Sequence, residues 1–235
     1  MMRRGSPGSR RISLPQRECC KGSSRHVRNL SLVTIIDLGI SNIKSITRGF
    51  LFQGISVETT SFPEGIRRAE SLVLPGVGAF PKAMEILNKR ALIEPILDHV
   101  GQGRPLLGVC LGMQLLLTDS AEHELTKGLG IIPGHVVRFQ EGIQVPHMGW
   151  NKVRQLKRSP LFSGIPDRAD FYFVHSYIGQ VQSSEDEIAR TDHYGSFVSA
   201  AGRGRVYGVQ FHPEKSQRLG LLLLRNFARF SKKED

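Results

Sequence analysis

The chain has 235 residues and a net charge of +11, from 32 Lys and Arg against 21 Asp and Glu. With 40% hydrophobic and 23% charged residues, it has the composition of a globular domain that can bury one good core. The longest apolar run, residues 106–113, contains two glycines and is shorter than the ~18 residues of a membrane helix, which excludes a membrane-spanning protein.

Most of the excess charge lies in the first thirty residues. Residues 1–30 hold eight Lys and Arg against one acidic residue, with five serines and few large apolar side chains. Such a segment cannot bury enough surface to offset its ordering entropy, so we expect a disordered leader outside a domain spanning residues 31–235. Its composition fits an organellar transit peptide, but a translation start assigned too early is the favoured interpretation. No aromatic residue interleaves the charges, so nucleic-acid binding is not expected.

The first half of the domain alternates between strand and helix patterns. Apolar, often β-branched runs predict strands at residues 32–36, 55–59, 71–74 and 105–109. Apolar residues at helical spacing predict three helices, marked by Ile43, Ile46, Phe50 and Leu51, by Ile93, Ile96, Leu97 and Val100, and by residues 113–117. Strands that alternate with helices indicate an α/β fold with a mostly parallel sheet and helices on both faces.

The second half changes character. Strand-like runs occur at residues 135–139, 150–156, 171–175, 196–200 and 206–211, separated by Gly- and Pro-rich turns. Helical periodicity returns only at the end, where Leu223, Phe227 and Phe230 share one face. We therefore expect one domain in which an antiparallel β extension follows the parallel sheet.

A G-x-nucleophile-x-G pattern, Gly108-Val-Cys110-Leu-Gly112, lies between a predicted strand and a predicted helix. Both glycines are needed where the nucleophile occupies a strained turn that side chains would obstruct. The turn would place the Cys110 sulfur at a helix N-terminus, where the helix dipole and free N–H groups favour the reactive thiolate. A buried cysteine is commonly only a small core residue, but this context favours a nucleophile.

A cysteine nucleophile requires a base and a group that orients the base. The sequence His212-Pro-Glu214 follows the predicted strand at 206–211, and side chains two apart on an extended chain point the same way. We therefore expect His212 and Glu214 to pair near Cys110. These residues lack the ligand spacing of a zinc site, and neither a metal nor another cofactor is expected.

A glycine-rich loop, Gly76-Val77-Gly78, follows another predicted parallel strand. Its backbone N–H groups could face an oxyanion together with the N–H group of Leu111. By itself the loop is a weak signal, because glycine and proline form turns in every fold.

These motifs resemble those of class I, triad-type glutamine amidotransferases, which have a flavodoxin-like fold. Within that family, the chain resembles the glutaminase subunits of imidazole glycerol phosphate synthase over residues 32 to about 230. The segments that carry this resemblance occur in order and are long: Leu74–Phe80, Val145–Asn151, Phe173–Tyr177 and Tyr207–Ser216.

The resemblance implies that Cys110 forms a glutamyl thioester, His212 transfers protons and Glu214 holds the imidazole. Gln114, four residues after Cys110, would help to hold glutamine; the alternative is an exposed surface residue. A cyclase subunit with a (β/α)₈ barrel would form a heterodimer with this chain and use its ammonia. Three residues resemble positions near the family's interface with this cyclase, namely Trp150, Tyr177 and Lys215. The alternative for Trp150 is a packing role in the core or on the sheet. His147 and His175 are expected to be structural or to line the site.

Two departures from the family pattern leave a second function open. Leu38 and Ser41 replace an aromatic residue and a glycine near the first strand, and Ile178 replaces a second aromatic residue after Tyr177. A paralogue that feeds ammonia to another synthase, for example in surface-sugar amination, is the main alternative. An anthranilate or guanylate amidotransferase is less favoured. In such a protein, residues 145–151 would not be expected to resemble the glutaminase subunits of imidazole glycerol phosphate synthase. The three cysteines form no disulfide framework, and a free glutaminase chain favours a prokaryotic cytoplasm.

Overall fold

A nine-stranded mixed sheet and a smaller four-stranded sheet organise residues 32–40, 42–140 and 142–231, which the computed structural model describes. The leader predicted at residues 1–30 lies outside the described residues. No helix in the described ranges is long and apolar enough to cross a membrane.

The strands and helices are numbered in chain order. The strands are β1 (Leu32–Ile36), β2 (Ser56–Thr60), β3 (Leu72–Gly76), β4 (Leu106–Cys110), β5 (Asp119–Ser120), β6 (Thr126–Lys127), β7 (Gly134–Arg138), β8 (His147–Gln155), β9 (Ala169–His175), β10 (Tyr177–Val181), β11 (Glu187–Asp192), β12 (Ser196–Arg203) and β13 (Val206–Val209). The helices are α1 (Ile43–Phe52), α2 (Pro63–Arg68), α3 (Phe80–Lys89), α4 (Ile93–Gly101), α5 (Leu111–Leu115) and α6 (Gln217–Phe230). Short 3-10 turns lie at Pro160–Phe162, Ser184–Asp186 and Pro213–Lys215.

The large sheet has the order β2-β1-β3-β4-β13-β12-β11-β8-β9. Its first five strands are parallel, and the pairings from β13 through β12, β11 and β8 to β9 are antiparallel. The predicted α/β class with an antiparallel extension is confirmed, and the extension continues the parallel sheet. Because β3, β4 and β13 are parallel neighbours, the segments that follow them meet at one sheet edge.

The smaller sheet was not predicted as a separate unit. Its order is β10-β7-β5-β6, with β5 and β7 parallel and the other neighbours antiparallel. Of its strands, only β7 corresponds to a predicted run.

Buried residues form a hydrophobic cluster on each face of the large sheet. Val33 and Ile35 pack in the cluster that contains residues of α1 and α6, whereas Ile36 belongs to the cluster of α3, α4 and α5. This alternation along β1 follows from the two-residue period of a strand. Among the four residues that mark α1 in the sequence, Leu51 does not lie on the buried face. Leu51 is 54% exposed because consecutive helical residues lie about 100° apart and Phe50 occupies the inward position.

Candidate active site

Cys110 occupies a strained turn between β4 and α5. Its backbone has φ 55° and ψ −110°, a region that residues with side chains rarely adopt. A Cβ atom at Gly112 would lie 1.7 Å from the carbonyl oxygen of Leu74, and one at Gly108 would lie 2.6 Å from that of Gly112. The two glycines therefore permit the close backbone approach that the predicted elbow requires.

His212 and Glu214 lie in the turn that follows β13, the strand beside β4. The Nδ1 atom of His212 is 2.8 Å from the Glu214 Oε1 atom, and the carboxylate can only accept, so the ring donates. Ser216 ties this turn to β9, because its hydroxyl donates to the His212 carbonyl at 2.6 Å and accepts from the Tyr172 N–H at 3.0 Å. The pairing leaves the Nε2 atom of His212 for chemistry.

The charge balance around His212 favours the imidazolium form. Burial lowers the pKa of His212, but Cys110 and then Glu214 outweigh burial and raise it to about 10. The Nε2 atom is buried and makes no well-aligned hydrogen bond within the described residues. Cys110 is nevertheless near enough to raise the pKa of the ring. Catalytic hydrogen bonds are commonly poorly aligned before substrate binds.

A cavity of about 240 Å³ opens beside the sulfur of Cys110. It brings together four further residues that the sequence predicted for the site, namely Val77, Gly78, Leu111 and Gln114. Gly76 lies next to this wall at the end of β3, paired with Cys110 across the sheet, and a Cβ atom there would come within 2.9 Å of the Leu111 side chain. The carboxyl edge of the sheet thus forms a pocket around a cysteine with a paired base.

Gln114 lies inside this site. Its side chain is 5% exposed, so the alternative of a surface residue is wrong. The Nε2 group donates to the Tyr177 carbonyl at 3.0 Å and to the Gln210 Oε1 atom at 3.1 Å.

Comparison with protein families agrees with this geometry. The family model described as glutamine amidotransferase class-I matches residues 34–229. The chain is a class I glutamine amidotransferase.

Curated relatives match most of the length of this amidotransferase. It is 46% identical over 206 residues to the imidazole glycerol phosphate synthase subunit HisH of Geobacter sulfurreducens, covering 84% of this chain and 98% of the relative. The HisH subunit of Salinibacter ruber is 45% identical over 204 residues, with 84% and 94% covered.

Solved structures support the fold of the amidotransferase. A protein described as a glutamine amidotransferase aligns with a TM-score of 0.69 at 17% identity, over 85% of this chain and 98% of the other. A glutamine amidotransferase from Thermotoga maritima aligns with a TM-score of 0.62 at 16% identity, over 87% and 99%.

Sequence reasoning missed an acidic residue of the amidotransferase site. Glu122 lines the Cys110 cavity, and its buried carboxylate accepts a hydrogen bond from the Phe80 N–H at 2.8 Å. Glu122 belongs to no motif, and folding brings it to the cavity from the segment after β5. Among the residues that line this cavity, Glu122 is the acidic one, and its carboxylate can face the α-ammonium group of an amino acid.

The three residues predicted for the partner interface of the amidotransferase do not lie together. Trp150 and Lys215 both border Tyr172: the Trp150 and Tyr172 rings are 6.1 Å apart, and the Lys215 ammonium lies 5.6 Å from the Tyr172 ring centre. Tyr177 instead lies in the smaller sheet and lines the Cys110 cavity. Tyr172, which sequence reasoning did not single out, is paired with Trp150 by the register of β8 and β9 and contacts the Lys215 ammonium through its ring.

His147 and His175 form a hydrogen-bonded chain beside the amidotransferase cavity. His175 Nδ1 lies 2.8 Å from the Tyr177 carbonyl oxygen and must donate to it, so its Nε2 atom accepts from His147 Nδ1 at 3.1 Å. Burial is the main cause that lowers the pKa of His147 to about 4 and that of His175 to about 3. Both rings are therefore neutral near pH 7. Within the described ranges, no group of three or more His, Cys, Asp or Glu side chains is arranged to hold a metal ion.

Proposed function

We propose that this chain is the glutaminase subunit of imidazole glycerol phosphate synthase and acts in histidine biosynthesis. The observation that carries the glutaminase activity is the pairing of His212 with Glu214 beside a cysteine elbow. The identity to HisH subunits over nearly their full length supports this pathway over the other glutaminases that the sequence left open. We take residues 31–235 as one glutamine amidotransferase domain.

The first chemical step is the attack of the Cys110 sulfur on the side-chain carboxamide of glutamine. The N–H groups of the Gly76–Gly78 loop and of Leu111 would stabilise the oxyanion that develops. His212 gives its Nε2 proton to the departing ammonia, and a glutamyl thioester remains on Cys110. Glu214 holds the imidazole in the orientation that transfer requires.

In the second step, His212 accepts a proton from water, and the resulting hydroxide attacks the thioester. Collapse of the intermediate releases glutamate and returns the sulfur to its starting state. Gln114 and Glu122 face the same cavity as Cys110 and would hold the polar groups of glutamine during both steps.

Ammonia is useful only when an acceptor enzyme receives it, so the proposal includes a partner. We propose a cyclase subunit with a (β/α)₈ barrel, as the sequence resemblance implies. Its docking surface would include the aromatic–lysine surface formed by Trp150, Tyr172 and Lys215. Tyr172 accepts the His212 N–H through its backbone carbonyl at 2.8 Å, which connects this surface to the catalytic base. We place the complex in the cytoplasm.

Mixing the purified chain with the cyclase encoded beside it tests the function. Glutamine-dependent formation of imidazole glycerol phosphate is expected. Cys110→Ala should abolish glutamine use, because the nucleophile is lost, while ammonium salts still support the cyclase reaction. Ser199→Ala is a matched control, because it also removes one heteroatom from a buried side chain outside the proposed triad.

Two outcomes would contradict the proposal. Retained glutaminase activity in Cys110→Ala would exclude the nucleophile. Activation of the wild-type chain by another synthase, with no response to the cyclase, would instead favour the paralogue.

A further inference from the structure

The Cys110 sulfur has a second polar neighbour besides the catalytic base. The Gln210 side chain is fully buried, and its Nε2 atom lies 3.7 Å from the Cys110 sulfur. The carbonyl oxygen of Val174 lies 3.9 Å from the same sulfur and can only accept from a thiol. A thiolate has no proton to donate to the Val174 carbonyl. Stabilising its negative charge requires hydrogen-bond donors instead.

The Tyr177 carbonyl group, acting through Gln114, determines which end of the Gln210 amide faces the sulfur. The Tyr177 carbonyl only accepts, so the Gln114 group near it must be the NH₂ group. The same NH₂ group donates to Gln210, so the Gln210 atom that it contacts must be the oxygen. The NH₂ group of Gln210 is therefore the end that reaches Cys110.

The packing holds this amide in place. Gln210 follows β13, whose residue Val209 pairs with Val109 of β4, and its N–H donates to the Ser199 carbonyl at 2.9 Å. On the other side, the Tyr177 carbonyl that orients Gln114 also accepts from His175 at 2.8 Å. Gln210 is thus a buried donor with a defined orientation at the sulfur, and His175 and Gln114 act as positioning residues behind it.

We propose that Gln210 is a further catalytic residue, whose side-chain N–H donates to the Cys110 thiolate and increases the fraction of nucleophile that is ionised. This inference rests on the proposed role of Cys110. In the resting enzyme the Gln210 amide then stabilises the thiolate in addition to the positive charge of the His212 imidazolium, and it faces the sulfur again when collapse of the second intermediate releases the thiolate. The contribution of Gln210 is made in the resting enzyme, before glutamine binds.

The pH dependence of Cys110 alkylation in the isolated chain tests this proposal. Iodoacetamide is added without glutamine or a partner, and the labelled Cys110 peptide is quantified by mass spectrometry, separately from Cys19 and Cys20. Gln210→Met has a similar volume but no donor. Its alkylation midpoint should rise by about one pH unit, with about tenfold slower labelling below the midpoint, because a hydrogen bond to a charged group is lost.

Gln102→Met is the matched control, because Gln102 is an exposed residue that follows α4. Its midpoint should equal that of the wild type. Gln210→Glu keeps an acceptor for Gln114 but places a carboxylate by the sulfur, and its midpoint should also rise; it decides the question if Gln210→Met does not fold. Folded Gln210 variants with the midpoint of Gln102→Met would overturn the proposal. The assay involves neither glutamine nor the cyclase, so failure of the pathway assignment leaves its result unchanged.

Discussion

Glu122 places a buried carboxylate on the wall of the cavity that contains Cys110. Substrate glutamine carries an α-ammonium group, and a hydrogen bond between charged groups is stronger than one between neutral groups. Glu122→Gln should therefore raise the KM for glutamine by about 10–100-fold, with a smaller change in kcat, because binding is weakened throughout the reaction. Initial-rate glutaminase kinetics in the complex with the cyclase measure both constants.

The neighbouring Glu124 provides the control for this substitution. Glu124 is exposed and two residues away, so Glu124→Gln changes the same charge outside the cavity. Its KM should stay at the wild-type value. Equal KM values in the two variants would show that Glu122 does not bind the substrate.

The sequence predicts site residues that belong to one local motif and misses those that tertiary contacts supply. Cys110 is recognisable because two glycines and a strand-to-helix transition surround it, and His212 with Glu214 because of their spacing after a strand. Tyr172 reaches its position through the pairing of two antiparallel strands, and Gln210 through the pairing of β4 and β13. A register between distant segments has no local sequence signal.

At the scale of elements, the turn from β4 to α5 depends on the absence of a side chain at Gly112. In Gly112→Ala the new methyl group would overlap the Leu74 carbonyl, a backbone atom that cannot move by rotamer change. We expect a loss of about 3 kcal/mol or more in the free energy of unfolding, as for severe overpacking, together with loss of glutaminase activity. Urea unfolding followed by circular dichroism measures the change.

Gly101→Ala is the matched substitution for this turn. Gly101 is the last residue of α4, and a Cβ atom there would meet nothing within 4 Å. The variant should be as stable as the wild type or slightly more stable, because alanine favours helix. If Gly112→Ala were equally stable, the close approach of Leu74 would not constrain the elbow.

Elements with a clear two- or 3.6-residue period could be predicted, whereas short or polar ones could not. The strands β5 and β6 have two residues each, too few to display any period. In β11, charged residues such as Glu187 and Arg190 interrupt the apolar pattern, and they pair with each other at 3.2 Å. The missed helix α3 differs, because its buried residues Phe80, Ala83, Met84 and Leu87 do have helical spacing.

At the scale of the whole molecule, buried neutral histidines should make the fold sensitive to acid. Burial is the main cause that lowers the pKa of His99 to about 4, and His147 and His175 are also lowered. An unfolded chain binds these protons near pH 6.5, so the unfolded state holds more protons between about pH 6.5 and 4. Stability should therefore be lost as pH falls through this window.

His99→Gln tests the contribution of one ring. Its amide can still donate to the Pro105 carbonyl, which His99 contacts through Nε2 at 3.0 Å, but it does not titrate. Between pH 7.5 and 5.5, urea unfolding should show this variant losing about 1 kcal/mol less than the wild type. His123→Gln, at an exposed position, should lose as much as the wild type. The same pH dependence in both variants would exclude a role for His99.

The proposed docking surface lies at the β8–β9 end of the large sheet, opposite the end formed by β2. Trp150 lies on β8, near the end of the strand order opposite β2, and its ring is half-exposed beside Tyr172. Exposed aromatic residues commonly dominate the energy of an interface, so Trp150→Ala should raise the Kd for the cyclase about 10–100-fold. Phe52→Ala is the control, because Phe52 is 79% exposed at the end of α1. Calorimetric titration with the cyclase should separate the two variants; equal affinities would place the cyclase on another face of the molecule.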